Sequence, residues 1–274
     1  MYNITMNESN QIKSYSIYNI LTGSKHRSNR HSLLVPYLKH SKLVKRPIKL
    51  DGIRSQIMFT QWCWNALTLS FLLNGCITLQ SAHQDDNESS SLELEQSNTS
   101  FLFHPNILRF AILLFEIAAP TSMLVSTITK YALWPRSLKG PLGSKSLRRP
   151  VALIQHNLNI VASLLEVGVL GRIPVRLEDI PITLVYGCIY VLFMWSLKGH
   201  LVETKEPQFI YFFFDTTLGK KWTISVIFGL LTILITFYVM FTLIDDVLAW
   251  VSGGLWTNLV LIGAFSSFFC RFKD

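Results

Sequence analysis

Long apolar stretches alternate with short polar segments from residue 56 almost to the C-terminus. The stretches cover, approximately, residues 56–79, 106–129, 151–170, 181–197, 222–244 and 247–270. Each is close to the roughly 17 to 25 residues that an α-helix needs to cross a bilayer. The pattern predicts an all-α fold, a polytopic membrane bundle of about six transmembrane helices that occupies residues 56–270.

Composition and charge agree with this interpretation. Hydrophobic residues make up 50% of the chain and charged residues 15%, against about a quarter charged in an ordinary soluble domain. The net charge is +8, but the basic residues flank the apolar stretches and no nucleic-acid motif accompanies them. We therefore expect membrane lipids and no nucleic acid as partners, and the sequence leaves homo-oligomerisation open. The four cysteines show no CxxC spacing, so we predict no metal and no cofactor.

Two polar regions flank the first stretch. Residues 1–55 carry ten Lys or Arg against two acids, which predicts a basic cytoplasmic tail that is largely disordered. Residues 80–105 contain five acids and no Lys or Arg, which predicts an acidic loop on the lumenal or extracellular side. This loop also holds glycosylation sequons at Asn87 and Asn98, which can be modified only on that side.

Connectors rich in Lys and Arg alternate with connectors poor in them. Ten Lys or Arg residues lie in the tail, six in the second connector, four in the fourth connector and two at the C-terminus. On the opposing side, the first, third and fifth connectors carry none, two and none. Positive residues are retained on the cytoplasmic side of a membrane. We therefore predict that both termini face the cytoplasm, in an endomembrane such as the endoplasmic reticulum or in the plasma membrane.

Three formally charged residues fall inside the apolar stretches: Arg109, Glu116 and Glu166. A charge at membrane depth is costly unless it is paired or hydrated. Arg109 lies near the lumenal end of its stretch, and we expect its side chain to reach the headgroups. Glu116 follows seven residues later, which we take to be too far for a direct pair with Arg109. We expect Glu116 to be neutral or satisfied by another helix.

One face of the third stretch is polar. At about 100° per residue, His156, Asn159, Ser163 and Glu166 fall within an arc of about 80°. Such a stripe on an otherwise apolar helix is expected to face the bundle interior. It either forms an active centre or joins helices through hydrogen bonds, and the pattern alone leaves both interpretations open.

A hydroxyl group on the first stretch is predicted to lie at the depth of His156. Thr60 lies about four residues into the first helix and His156 about five residues into the third, and both helices are predicted to begin on the cytoplasmic side. At 1.5 Å per residue, both side chains sit roughly 6 to 8 Å inside. A hydroxyl beside an imidazole is the minimum pair of nucleophile and base.

Several segments carry a resemblance to a known family. His156 is followed ten positions later by Glu166 and then by a Pro-containing connector, in HNLNIVASLLEVGVLGRIP. Other segments are FTQWCWNALTLSFLL, LLFEIAAPTSMLVSTITKYALWP, VYGCIYVLFMWSL and FIYFFFDT. Together they resemble the androgen-induced protein family of membrane threonine hydrolases and the related rolling-stone-like proteins. The resemblance covers about residues 55–245.

The resemblance implies hydrolysis of lipid esters within the membrane, in particular of fatty acid esters of hydroxy fatty acids, by a Thr and a His. Thr60 matches the family threonine and would be the nucleophile, and His156 matches the family histidine and would be the general base. Glu166 matches a family acid. Asp215, in FIYFFFDT, is similar to the aspartate of a YPxLDW-like motif, without the Pro and Trp. With Asn159 and Ser163, these acids are the possible supporting residues.

Two other functions are compatible with the sequence. A non-enzymatic membrane scaffold or fusion-related protein, of the rolling-stone type, would use the polar stripe only to hold helices together. A small transporter or lipid flippase is the third possibility, although no inverted repeat or pair of broken helices is visible.

Overall fold

The computed structural model is a bundle of helices, as the sequence predicts. It describes residues 32–33, 41, 43, 48–49, 56–88, 105–138, 147–171, 173–201, 208–251 and 254–273. We number the six helices of the bundle α1 Phe59–Glu88, α2 Pro105–Leu133, α3 Pro150–Gly168, α4 Ile180–Ser196, α5 Lys220–Trp250 and α6 Leu255–Phe269. Helices α1 to α5 are long and apolar enough to cross a bilayer. The prediction of an all-α polytopic membrane bundle is confirmed.

Helix α2 is the centre of the bundle. Every residue from 115 through 126 is buried, and α2 contacts each of the other five helices. A helix that is buried on all sides is expected at the core of a larger structure. Pro120 interrupts its backbone ladder because proline has no N–H group. The hydroxyl groups of Thr121 and Ser122 donate to carbonyls of the preceding turn.

Neighbouring helices are antiparallel, so α1 and α3 run in the same direction. The Ser70 hydroxyl of α1 donates to the Ala111 carbonyl of α2, and the Cys63 thiol hydrogen-bonds Thr121 ten residues further along α2. The Ser126 hydroxyl of α2 likewise donates to the His156 carbonyl of α3, while Glu116 of α2 contacts the segment that follows α3. Thus α1 and α3 both begin at the same end of the bundle.

The boundary between the last two helices differs from the predicted one. The sequence places a connector at residues 245–246, whereas α5 runs on to Trp250 and α6 begins at Leu255. The Asp245 carboxylate accepts a hydrogen bond of 2.9 Å from the Val175 N–H, so it is satisfied within the helix. Gly254 precedes α6 with φ +84°, a conformation that glycine adopts without strain. With 15 residues, α6 is only about 22 Å long.

The two predicted polar regions are described only in part. Helix α1 extends to Glu88, so the first part of the predicted acidic loop is helical, and residues 89–104 lie outside the described residues. Within the predicted tail, strand β1 Ser32–Leu33 pairs antiparallel with strand β2 Ile48–Lys49. Leu43 is buried among the aromatic residues of α4 and of the segment before α5. Apart from Ser41, the remainder of the predicted disordered tail lies outside the described residues.

Charge separates the two ends of the bundle. At the end where α1, α3 and α5 begin, the cations with described side chains are Lys130, Arg148, Arg149, Lys198, Lys220, Lys221, Arg271 and Lys273. We call this the basic end, and its one acid with a described side chain is Asp215. At the opposite end, the acids with described side chains are Glu116, Glu166, Glu178, Asp179, Asp245 and Asp246. We call this the acidic end, and its two cations with described side chains are Arg109 and Arg176.

Candidate functional site

The candidate site lies where a widened turn of α3 meets α1 and α2 near the basic end. Residues Ile154–Leu158 form a π-helical turn inside α3, a feature that is frequent at functional sites. The Ser126 hydroxyl of α2 donates to the His156 carbonyl at 2.5 Å, and the Trp64 indole N–H of α1 donates to the Gln155 carbonyl at 2.9 Å. These two bonds fix the turn from both sides.

His156 is buried, with 8% of its surface exposed. Neither Nδ1 nor Nε2 has a hydrogen-bond partner among the described residues. A neutral imidazole carries one donor and one acceptor, and buried polar groups without partners are rare. The ring is therefore the least satisfied polar side chain of the polar stripe on α3.

Thr60 lies in the first turn of α1 and is half-buried. It precedes Trp64 by four residues, so the two side chains lie about 40° apart on the helix and about 6 Å apart along its axis. Since Trp64 bonds the carbonyl next to His156, Thr60 lies on the side of α1 that faces the π turn. Within the described part of the chain, no hydrogen bond joins the Thr60 hydroxyl to His156.

Asn159 and Ser163 are fully buried and are used within the bundle. The Asn159 Oδ1 accepts hydrogen bonds from the Ile160 N–H at 2.9 Å and from the Ser126 hydroxyl at 3.3 Å. The Ser163 hydroxyl donates to the Asn159 carbonyl at 2.9 Å. Both side chains thus face the interior, as the stripe predicts, and their bonds are structural.

The two candidate acids lie apart from the imidazole. The Glu166 carboxylate accepts a hydrogen bond from the Gly171 N–H, which satisfies the backbone beyond the C-terminus of α3. Asp215 is buried and precedes a short 3-10 turn, where its Oδ1 accepts bonds from the Thr217 N–H and hydroxyl at 2.8 and 2.6 Å. The Ser41 hydroxyl donates to the other oxygen of Asp215. Neither acid hydrogen-bonds His156 in the described residues.

A network of ion pairs lies at the acidic end. The Glu116 carboxylate accepts two hydrogen bonds from Arg176, one from its backbone N–H and one from its Nε, both at 3.1 Å. Arg109 contacts Asp179 at 2.5 Å and Glu116 at 3.8 Å. Arg176 also contacts Asp179, at 2.8 Å, and Glu178, at 3.4 Å. The expectation that Arg109 and Glu116 are too far apart to pair was wrong, because the extended Arg109 side chain spans the two helical turns between them.

This ionic network fastens the connector between α3 and α4 to two helices. Glu116 and Arg109 of α2 hold it on one side, and α5 holds it on the other. The Tyr238 hydroxyl donates to the Arg176 carbonyl at 2.8 Å, and Asp245 accepts from the Val175 N–H. From the sequence, Arg176 is one of the two cations counted in this connector, and the count serves only to orient the bundle. Its proximity to the buried Glu116 depends on the helix pairing, which one sequence does not disclose.

The C-terminal segment docks beside the π turn. Asn157 Nδ2 donates to the Arg271 carbonyl at 2.9 Å, and the Arg271 N–H donates back to Asn157 Oδ1 at 3.2 Å. The Cys270 thiol donates to the Asn157 carbonyl at 3.6 Å. Burial raises the pKa of the Cys270 thiol to about 12. Asn157 points away from the predicted stripe, so the sequence reasoning missed this contact.

Among the described residues, no group of three or more His, Cys, Asp or Glu side chains is arranged to hold a metal ion. The number and length of the apolar helices define the chain as a multi-pass helical membrane protein. No family model matches it, and comparisons with curated proteins and with solved structures likewise give no match.

Proposed function

We propose that the protein hydrolyses lipid esters, with Thr60 as nucleophile and His156 as general base. The observation that carries the proposal is the buried imidazole of His156, whose two nitrogens lack partners among the described residues. A general base needs a free acceptor nitrogen within reach of the proton that it removes. The substrate class, fatty acid esters of hydroxy fatty acids, comes from the resemblance of the sequence to the androgen-induced protein family.

The reaction divides into two steps. The Thr60 oxygen adds to the ester carbonyl while His156 accepts the hydroxyl proton, and collapse expels the alcohol, which leaves with that proton. Water then adds to the acyl group on Thr60 while His156 accepts a water proton. Collapse releases the fatty acid and returns the proton to the Thr60 oxygen.

The relation between α1 and α3 supports the pairing of these two residues. Both helices begin at the same end, and Trp64 fixes α1 to the residue before His156 at 2.9 Å. Contacts between a base and its nucleophile often tighten only when substrate is bound. The dyad works without a third residue, because Glu166 and Asp215 bond other groups.

The experiment is turnover of a branched fatty acid ester by the purified protein in lipid nanodiscs. We expect Thr60→Ala and His156→Ala each to lower turnover by at least about 100-fold, and Thr60→Ser to keep part of it. Thr68→Ala and His200→Ala are matched controls, since both side chains are exposed and lie outside the proposed dyad. Equal turnover by all these variants would exclude the mechanism.

A non-enzymatic scaffold or fusion-related protein is the second candidate. The bond between Ser126 and Asn159 favours it, because it uses a residue of the polar stripe to join α2 to α3. A scaffold predicts that Asn159→Ala lowers the melting temperature in detergent. It also predicts that a fluorophosphonate probe labels Thr60 no more than it labels Thr68.

For orientation, we propose that the basic end faces the cytoplasm, in the endoplasmic reticulum or the plasma membrane. The cations at that end and the acids at the other support this assignment, since positive residues are retained in the cytoplasm. A protease-cleavable tag at the C-terminus tests it. In sealed vesicles with the cytoplasmic face outward, the tag should be cleaved without detergent, and protection of the tag would reverse the orientation.

A further inference from the structure

A compact group of cations and aromatic rings joins the ends of α2 and α6. Its members are Lys130, Tyr131, Trp134, Phe268 and Arg271, and we call it the interfacial clamp. The Lys130 ammonium lies 5.1 Å from the centre of the Tyr131 ring and 5.9 Å from that of Phe268. The Arg271 guanidinium lies 5.4 Å from the centre of the Trp134 ring. The clamp thus presents two cations, each held against aromatic faces.

Both cations are positioned by bonds that leave donors available. Lys130 Nζ donates to the carbonyls of Ser267 and Phe268, each at 2.6 Å, so one of its three N–H groups remains. Arg271 is held through its backbone by Asn157, and its Nε donates to the Lys273 carbonyl at 3.1 Å. Within the described residues, the terminal Nη groups of Arg271 have no hydrogen-bond partner.

The position of the clamp fits the level of the lipid headgroups. Lys130 and Tyr131 lie in the last turn of α2, and Trp134 begins the short helix Trp134–Leu138 that continues it. Phe268 lies in the last turn of α6, and Arg271 lies just beyond that helix. Tyr131 and Phe268 are 52% and 60% exposed, and aromatic rings at the ends of membrane helices lie at the boundary between acyl chains and headgroups. The single acid described at this end, Asp215, is already bonded to Ser41 and Thr217. No described carboxylate therefore competes for the two cations.

We propose that the interfacial clamp binds the phosphate headgroup of an anionic phospholipid. The remaining Lys130 N–H and the Arg271 Nη groups donate to the phosphate oxygens, because both are charge-assisted donors. The acyl chains lie along the exposed rings of Tyr131 and Phe268. The site needs no catalytic activity and is independent of the proposed hydrolysis. Because Arg271 is bound to Asn157, the lipid also steadies the π turn that carries His156.

Retention of phosphatidylglycerol measured by native mass spectrometry tests the proposal. Delipidated protein receives equal amounts of phosphatidylglycerol and phosphatidylcholine, and we expect it to retain the anionic lipid preferentially. Lys130→Gln and Arg271→Gln should each lower that retention by about fivefold. Lys130→Arg should retain the lipid almost as well as wild type. Lys220→Gln is the matched control, since Lys220 is an exposed cation of the same end outside the clamp.

Three results would overturn the proposal. Equal loss in Lys220→Gln and Lys130→Gln would mean that diffuse positive charge holds the lipid. Equal retention of the two lipids by wild type would mean that the headgroup charge is not recognised. Displacement of the lipid by soluble glycerophosphate at an equal concentration would make the site one for a free phosphate. If Lys130→Gln does not fold, Arg271→Gln and Phe268→Leu test the site instead. Retention of phosphatidylglycerol equal to that of wild type in both variants would exclude binding at the clamp.

Discussion

The indole of Trp64 donates a hydrogen bond of 2.9 Å to the carbonyl of Gln155, and this bond joins α1 to the π turn of α3. Trp64→Phe keeps most of the ring and removes the donor. We expect the free energy of unfolding in detergent to fall by about 1 kcal/mol, the net worth of one hydrogen bond. Trp256→Phe is the control, because Trp256 is 79% exposed. Equal losses in the two variants would contradict the role of this bond.

The ionic network at the acidic end should dominate the electrostatic stability of the bundle. Glu116→Gln removes one of the two buried partners of Arg109 and Arg176, both of which keep Asp179. We expect a cost of about 1 to 3 kcal/mol, the usual penalty when a buried group loses a hydrogen-bond partner. Glu178→Gln, whose side chain is 71% exposed, should cost less than about 1 kcal/mol. Chemical unfolding in detergent measures the free energy of unfolding of both variants. A Glu116→Gln variant as stable as Glu178→Gln would show that the network contributes nothing.

Gly168 marks a close contact between α3 and α6. A Cβ atom placed there would lie 2.9 Å from Cδ1 of Ile262 and 3.4 Å from Cδ1 of Leu248. We expect Gly168→Ala to lower the free energy of unfolding by about 1 to 3 kcal/mol, the usual cost of overpacking. Gly263→Ala serves as control, because no atom would lie within 4 Å of its Cβ. A neutral Gly168→Ala would mean that Ile262 moves aside freely.

Cys270 reports whether the C-terminal segment is docked. Alkylation needs the thiolate, and burial raises the pKa of Cys270 to about 12. With the pKa raised, the thiolate fraction keeps increasing up to about pH 12, so the labelling rate in the folded protein should show no plateau between about pH 8 and 10. An ordinary thiol with a pKa near 8.5 levels off within that range.

Asn157→Ala removes the two side-chain bonds to Arg271 and should release the segment. We expect labelling of Cys270 at neutral pH to rise by about tenfold or more, with a plateau near pH 9. Mass spectrometry of the Cys270 peptide separates this signal from the other cysteines. Asn74→Ala is the control, since Asn74 bonds only within α1. If labelling of Cys270 does not change in Asn157→Ala, contacts other than those of Asn157 keep the C-terminal segment docked.

The sequence was sufficient to predict the helices, because a bilayer demands long apolar stretches and these are visible in one chain. The predicted connector at Asp245 and Asp246 was wrong, because both residues lie inside α5. The charge of Asp245 is accommodated there by a hydrogen bond from the Val175 N–H. The prediction for Arg109 and Glu116 was also wrong, since spacing along one helix ignores the reach of an arginine and the residues of a neighbouring connector. Contacts between segments that are far apart in the chain could not be predicted from a single sequence.

The candidate site was predictable to a similar degree. Periodicity placed His156, Asn159 and Ser163 on one buried face, and all three are buried. Periodicity did not reveal that Ser163 bonds its own helix or that Glu166 bonds the backbone of Gly171. Such bonds depend on rotamers and on the course of the chain after α3. The catalytic roles of Thr60 and His156 stay predictions.

The ionic network also has a consequence for biosynthesis. Glu116 is made 60 residues before Arg176, which corresponds to roughly 3 to 12 s of translation. During that interval Arg109, on the same helix, is the one arginine of the network that has already been made. Glu116 and Arg176 can pair only after α3 has crossed the membrane and the connector between α3 and α4 has been synthesised. Formation of the complete network therefore requires that the first three helices have been inserted in the correct order.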